Sequence, residues 1–174
     1  MPRHIIRPKP GREGNAKLVA ELAKELRQAA GKIMPYILEE EVAATGLRTA
    51  TVIWDRWKDV PERDRADVIL AAYEVTEDKR YAESIAIPTG LTPHEALALG
   101  YLPYKVQSFH LAADGVSDAD LRRNFAEEAA RTVLGKAAKE LRYPRSEDAH
   151  EAFERLQTAL PVANWGIVEE LLAV

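Results

Sequence analysis

Cysteine is missing from all 174 positions of this chain. Its absence excludes disulfide bonds, thiolate zinc sites, cysteine nucleophiles and any iron–sulfur cluster bound by the chain's own thiolates. A chain without cysteine also fits a reducing compartment, so we expect a cytoplasmic protein.

Long apolar runs are missing as well. No stretch approaches the roughly 18 apolar residues that a membrane helix needs, so we expect no membrane span. The N-terminal stretch MPRHIIRPKPGREGN lacks the apolar segment of a signal peptide. The net charge of −4 is mildly acidic, which argues against a protein whose whole surface binds nucleic acid.

Established catalytic motifs are the third absence. The sequence has no HExxH, no GxSxG and no pair of histidines at the i, i+4 spacing of a helical metal site. Its glycines are scattered and form no phosphate-binding loop. We therefore expect neither a metal nor a cofactor.

What is present begins with a basic N-terminus. Four cations and no acidic residue occupy positions 1–12, namely Arg3, Arg7, Lys9 and Arg12. Three prolines in the same stretch favour an extended conformation, so we predict a flexible basic arm over residues 1–14. Such an arm can contact nucleic acid or an acidic protein, or it is an ordinary frayed terminus.

Two helices are predicted after the arm. Asn15 is a suitable N-cap, and leucines four residues apart predict a helix over residues 16–30. The next helix is predicted over residues 35–46, because the three glutamates at 39–41 favour a helix by propensity. These glutamates are interpreted as a solvated helix face.

The middle of the chain carries the strands. Across residues 48–111 the apolar period switches between two and about 3.6, which predicts strand, helix, strand, helix and strand. The three strands are predicted at residues 49–57, 83–87 and 104–111.

The helices between these strands have clear starts. Pro61 opens the first, on which Arg65 is placed with the charged side chains that face water. The segment TEDKR that follows is interpreted as a turn. Thr92-Pro93-His94-Glu95 is a capping box, which predicts a short helix that ends at Gly100.

The chain after the Asp114-Gly115 turn is expected to be helical. Apolar residues four apart predict a long helix from Ser117 that ends at Tyr143-Pro144. Ser146 caps another helix, and a final segment begins at Pro161.

Together these elements predict an α+β fold, with helices packed on a small three-stranded sheet and a C-terminal helical extension. Three regions follow: the basic arm at 1–14, an α+β core at 15–114, and a helical C-terminal part at 115–174 that shares the core.

Two groups of side chains are candidates for function. Residues near the ends of predicted elements form the catalytic candidates, which are Asp55, Arg56, His94 and His110. Amphipathic aromatic side chains and the arm form the binding candidates, which are Trp57, Tyr101, Tyr104, Arg3 and Arg7. The alternatives are a solvated charged face for the acidic residues, a structural role for His110 and an ordinary core edge for the tyrosines.

Four features of residues 48–96 occur together. They are a strand ending in Asp55-Arg56-Trp57, a helix carrying Arg65, the strand Ser84-Ile85-Ala86-Ile87, and a helix opened by Thr92-Pro93-His94-Glu95. This combination resembles the BolA-like family, and the residues after 117 lie outside the family pattern.

The resemblance implies a KH-like α+β layer and a partner-binding role. The family is associated with monothiol glutaredoxins and cluster handling, and with nucleic-acid regulation. The family's histidine before the second strand falls at Glu83 or Ser84 here, so its metal-ligand role has no matching residue.

Three hypotheses of function remain. The favoured one is a non-enzymatic binding or regulatory module that associates with a protein partner or with a second copy of itself. The second is a small enzyme with a site at the sheet ends, built from the catalytic candidates. The third is nucleic-acid binding through the basic arm and the region from Arg56 to Arg65.

Overall fold

The computed structural model describes residues 13–27, 35–108, 140–159, 161 and 164–170. This part of the chain contains helices and strands in the following order: α1 Glu13–Arg27, β1 Tyr36–Val42, β2 Leu47–Ile53, α2 Glu62–Thr76, α3 Lys79–Ser84, β3 Ile85–Leu91, α4 Pro93–Ala98, β4 Tyr104–Ser108, β5 Glu140–Tyr143, α5 Ser146–Ala159 and β6 Trp165–Glu169. The predicted α+β class is confirmed.

The strands form two sheets, whereas the sequence predicted one. The first sheet has the order β1-β2-β3 and the second has the order β5-β4-β6. The chain divides into two compact units, one with residues 56–90 and the described residues up to 52, the other with residues 53–55 and the described residues from 91 onward. The predicted boundary at Asp114-Gly115 lies outside the described residues.

In the first unit, helix α1 packs along α2, and α2 packs against α3. Helix α1 confirms the predicted first helix, although it begins at Glu13, inside the predicted arm. The core of this unit is largely apolar, and its fully buried side chains include Leu22, Val52, Trp57, Ile69 and Tyr73.

The predicted second helix over residues 35–46 is wrong, because this segment forms β1 and the turn that leads into β2. Thr45 and Gly46 each donate a backbone hydrogen bond to the Val42 carbonyl at 2.9 Å, and Gly46 has φ +65°. The glutamate run therefore lies on a strand, since tertiary contacts outweigh helix propensity here.

The predicted middle strands and turn need smaller corrections. Strand β2 ends at Ile53, and Asp55–Trp57 forms a single 3-10 turn instead of continuing the strand. The TEDKR segment runs into helix α3, whose N-cap Asp78 accepts a hydrogen bond from the Tyr81 backbone N–H at 2.7 Å. Strand β3 consequently begins two residues later than predicted.

Helix α2 begins after Pro61, as predicted, but Arg65 does not face water. Its side chain is buried, where Nε donates to the Val60 carbonyl at 2.8 Å and Nη1 donates to the Gly90 carbonyl at 3.0 Å. A buried guanidinium is tolerated when its donors have acceptors. Through its hydrogen bond to the Gly90 carbonyl, Arg65 connects helix α2 to strand β3.

In the second unit, β4 is the central strand and pairs antiparallel with both β5 and β6. Helix α5 packs on all three strands and confirms the helix predicted from Ser146. The buried side chains between them include Val106, Leu141, Tyr143 and Leu156.

The prediction of a wholly helical C-terminal part is wrong. The end of the predicted long helix forms β5, and the segment after Pro161 forms β6. Both segments are held by pairing with β4, a partner that the local apolar spacing does not show. The remainder of the predicted long helix lies outside the described residues.

Candidate functional site

Three of the four catalytic candidates lie in the described residues, and two of them, Asp55 and Arg56, are neighbours in the 3-10 turn after β2. Asp55 is exposed in the 3-10 turn, and Arg56 is exposed and forms an ion pair with Glu21 at 3.9 Å. His94 is exposed at the second position of α4. His110 lies outside the described residues, so the convergence of the four stays a prediction.

Trp57 lies in the core of the first unit. Its side chain is 0% exposed, and its indole Nε1 donates a hydrogen bond to the Val52 carbonyl at 2.9 Å. This placement gives the ring a packing role and leaves none of it on the surface.

Among the described binding candidates, Tyr101 is exposed to solvent, and it follows the end of helix α4. Helix α4 starts at a complete capping box, in which Thr92 Oγ1 accepts from the Glu95 N–H at 3.2 Å and the Glu95 carboxylate accepts from the Thr92 N–H at 2.7 Å. This confirms the helix start predicted from sequence.

The end of α4 is a Schellman motif. Tyr101 N–H donates to the Ala96 carbonyl at 2.9 Å, Gly100 N–H donates to the Leu97 carbonyl at 3.2 Å, and Gly100 has φ +76°. The backbone that carries Leu99 and Tyr101 is therefore fixed at both sides of Gly100.

The side chains around this motif alternate between core and surface. Leu99 is 58% exposed and Tyr101 is 39% exposed, whereas Leu102 is buried. Tyr104 is half-buried at the start of β4. The fixed turn thus presents one aliphatic and one aromatic side chain to solvent.

The nucleic-acid candidates are only partly described. Arg3 and Arg7 lie outside the described residues. Between Arg56 and Arg65, the Arg65 guanidinium is committed to backbone carbonyls and lies in the interior. This region is therefore poorer in exposed cations than the sequence suggested.

Sequence reasoning missed a polar cluster in the first unit, here named the tyrosine–carboxylate cluster. Its members come from β1, β2, α2 and α3, and they are Glu39, Glu41, Arg48, Tyr73 and Tyr81. Tyr73 donates its hydroxyl to Glu39 Oε1 at 2.5 Å, and Tyr81 donates to Glu39 Oε2 at 2.7 Å. Both carboxylate oxygens of Glu39 thus accept a phenol.

Arg48 completes the tyrosine–carboxylate cluster. Its Nη1 donates to the Tyr81 hydroxyl, and its Nη2 donates to Glu41 Oε2 at 2.7 Å. Its guanidinium carbon lies 4.4 Å from the centroid of the Tyr81 ring, and that ring stacks on Tyr73 with centroids 5.9 Å apart. The cluster ties the β1–β2 hairpin to the two helices.

The tyrosine–carboxylate cluster holds both phenols in their protonated form. Burial raises the pKa of Tyr73, and its hydrogen bond to the Glu39 carboxylate raises it further. Burial and the same carboxylate also raise the pKa of Tyr81, while Arg48 acts in the opposite direction. Since these phenols keep their protons, the cluster serves as a structural tie and not as a base.

The contribution of the tyrosine–carboxylate cluster to stability should be measurable by unfolding the protein at alkaline pH. A tyrosine in the unfolded chain loses its proton near pH 10.0, whereas folded Tyr73 retains its proton at that pH because its pKa is raised. The stabilisation is therefore complete below pH 10, and the free energy of unfolding should fall as the pH rises above 10. We expect the free energy of unfolding of Tyr73→Phe to be about 2 kcal/mol lower than that of the wild type at pH 8 and to fall less steeply up to pH 11. Urea unfolding at a series of pH values measures both.

The matched control is Tyr101→Phe, which removes a hydroxyl from an exposed ring. It should follow the wild-type pH dependence with little loss at pH 8. If the free energy of unfolding fell equally steeply with pH in wild type and Tyr73→Phe above pH 10, the raised pKa of Tyr73 would not be the cause of the loss.

A second polar cluster lies in the second unit. Glu170, directly after β6, accepts from Lys105 Nζ through Oε1 and from Arg142 Nη2 through Oε2, the latter at 2.6 Å. The hydrogen bond from Lys105, then that from Arg142, lowers the pKa of Glu170, so its carboxylate is charged. This cluster could not be predicted from the sequence, because its members are far apart in the chain.

Within the described ranges, no group of three or more histidine, aspartate or glutamate residues is arranged to hold a metal ion. Among the same residues, no helix is both long and apolar enough to cross a membrane.

No family model, curated protein or solved structure matches this chain. The resemblance of residues 48–96 to the BolA-like family therefore stays a prediction.

Proposed function

We propose that this protein is a non-enzymatic binding module that associates with another protein surface, on a partner or on a second copy of the chain, through Leu99 and Tyr101. The observation that supports the proposal is the exposure of these two side chains on the Schellman turn after α4. Tyrosine is enriched among the side chains that dominate protein interfaces.

The fixed backbone of the Schellman turn after α4 also supports the proposal. A binding segment that is already ordered loses little conformational entropy when a partner docks on it. The turn is tied by two backbone hydrogen bonds, and Leu102 anchors it in the core. Leu99 and Tyr101 are therefore presented as a preorganised pair.

The site of action that we propose is the cytoplasm, which the complete lack of cysteine supports. The mildly acidic net charge favours a protein partner over nucleic acid.

Site-specific photocrosslinking tests the proposal. A photoreactive phenylalanine analogue placed at position 101 should give one adduct of defined mass in cells of the protein's own host. A mass of two chains identifies a second copy, and any other mass identifies a partner. Leu99→Ser in the same chain should reduce the adduct by about tenfold, because it removes half of the apolar contact.

The matched control carries the same analogue at Val75, an exposed apolar position in the other unit. It should give no adduct of that mass. Equal adducts at positions 75 and 101, or an adduct that Leu99→Ser leaves unchanged, would sink the proposal.

A further inference from the structure

The polar cluster of Lys105, Arg142 and Glu170 contains two cations for one carboxylate, whereas a simple ion pair contains one of each. Lys105 and Arg142 are directly opposite each other on β4 and β5, so their side chains leave the same face of the sheet. Their side chains are only 14% and 13% exposed. Two like charges that face each other away from water are destabilising unless an anion lies between them.

Glu170 supplies that anion with one carboxylate oxygen for each cation. A ligand carboxylate or phosphate is bound by lysine and arginine in the same way. The side chain of Glu170 is 43% exposed, so the anion lies toward solvent and the cations lie beneath it.

The backbone of Glu170 is held separately from its carboxylate. Its N–H donates to the Pro103 carbonyl at 2.8 Å, which extends the pairing of β6 with the start of β4. The carboxylate can therefore leave the cations by rotation of its own side chain, while the strand stays paired.

We propose that Lys105 and Arg142 form a binding site for one phosphate group, which the Glu170 carboxylate fills when no ligand is present. Glu170 brings one negative charge to the two cations that it contacts. A phosphate dianion would neutralise both cations and offers enough oxygens for the ammonium and the guanidinium together. The chemistry favours phosphate over a second carboxylate.

The first experiment removes the internal competitor. Glu170→Gln keeps the shape of the side chain and removes its charge, so the variant should bind inorganic phosphate at least about tenfold more tightly than the wild type at pH 8. Calorimetric titration measures both affinities. Adding Arg142→Gln to this variant should reduce the affinity by a similar factor.

The matched control is Glu151→Gln, which makes the same change in an exposed pair with Arg155 on α5. This control should bind phosphate as the wild type does. Phenyl phosphate, tested beside inorganic phosphate, distinguishes the two sources of the group: equal affinity indicates a phosphorylated small molecule, and a preference for inorganic phosphate indicates the free ion.

The wild-type protein provides a test that does not depend on the fold of a variant. In two-dimensional NMR, inorganic phosphate should produce saturable shifts at the amides of residues 105, 142 and 170 and at the Arg142 side chain. Acetate at the same ionic strength should produce smaller ones. The absence of saturable shifts, acetate shifts as large as those with phosphate, or equal calorimetric affinities for wild type and folded Glu170→Gln, would overturn the proposal.

Discussion

Replacing Trp57 with alanine is expected to lower the free energy of unfolding by about 4 kcal/mol. The indole is fully buried in the first unit, and its N–H is the donor for the Val52 carbonyl. Alanine would leave a large cavity and a carbonyl without that donor. Urea unfolding followed by circular dichroism measures the loss without relying on tryptophan fluorescence.

Two comparison variants separate the causes of this loss. Trp57→Phe fills most of the space but lacks the N–H, so we expect a loss of about 2 kcal/mol. Tyr101→Ala truncates an exposed aromatic side chain and should change stability by less than about 0.5 kcal/mol. A Trp57→Ala protein as stable as Tyr101→Ala would show that the indole is not in the core.

Gly90→Ala is expected to lower the free energy of unfolding by about 3 kcal/mol, because the added methyl group overpacks the core. A Cβ at this position would lie 2.7 Å from Cβ of Arg65 and 3.3 Å from Cε2 of Trp57. The nearest atom is attached directly to the α2 backbone, so the clash cannot be relieved by moving the end of a flexible side chain. Relief requires α2 and β3 to separate, which strains the hydrogen bond from Arg65 to the Gly90 carbonyl.

Gly46→Ala is the matched control for this prediction. A Cβ at Gly46 meets nothing within 4 Å, but the residue has φ +65°. Its cost should therefore come from the left-handed backbone alone, at about 1 kcal/mol. Thermal or urea unfolding of both variants checks the order, and a Gly46→Ala loss equal to or larger than that of Gly90→Ala would contradict it.

Elements with a local chemical signature could be predicted from the sequence. The proline before α2, the capping box of α4 and the serine that starts α5 each act within one helical turn. For the same reason the exposed segment around Tyr101 could be recognised as a candidate surface, since its composition is amphipathic over a few residues.

Elements that depend on distant partners could not be predicted. The glutamates of β1 favour a helix by themselves, and Glu39 finds its two phenol partners on α2 and α3. The buried position of Arg65 likewise depends on the carbonyl of Gly90, which lies 25 residues away. The anion site requires Lys105 and Glu170, which are 65 residues apart.

The order of strands in the second sheet has a consequence for synthesis of the chain. Strand β4 is central, but both of its neighbours come later in the sequence. During translation β4 therefore emerges with two open edges, and at about 5–20 residues per second β6 follows it by about 3–12 s. One edge of β4 can pair with β5 before β6 emerges, but the other edge stays open until β6 follows. Translation speed between β4 and β6 therefore sets how long that edge needs protection from aggregation.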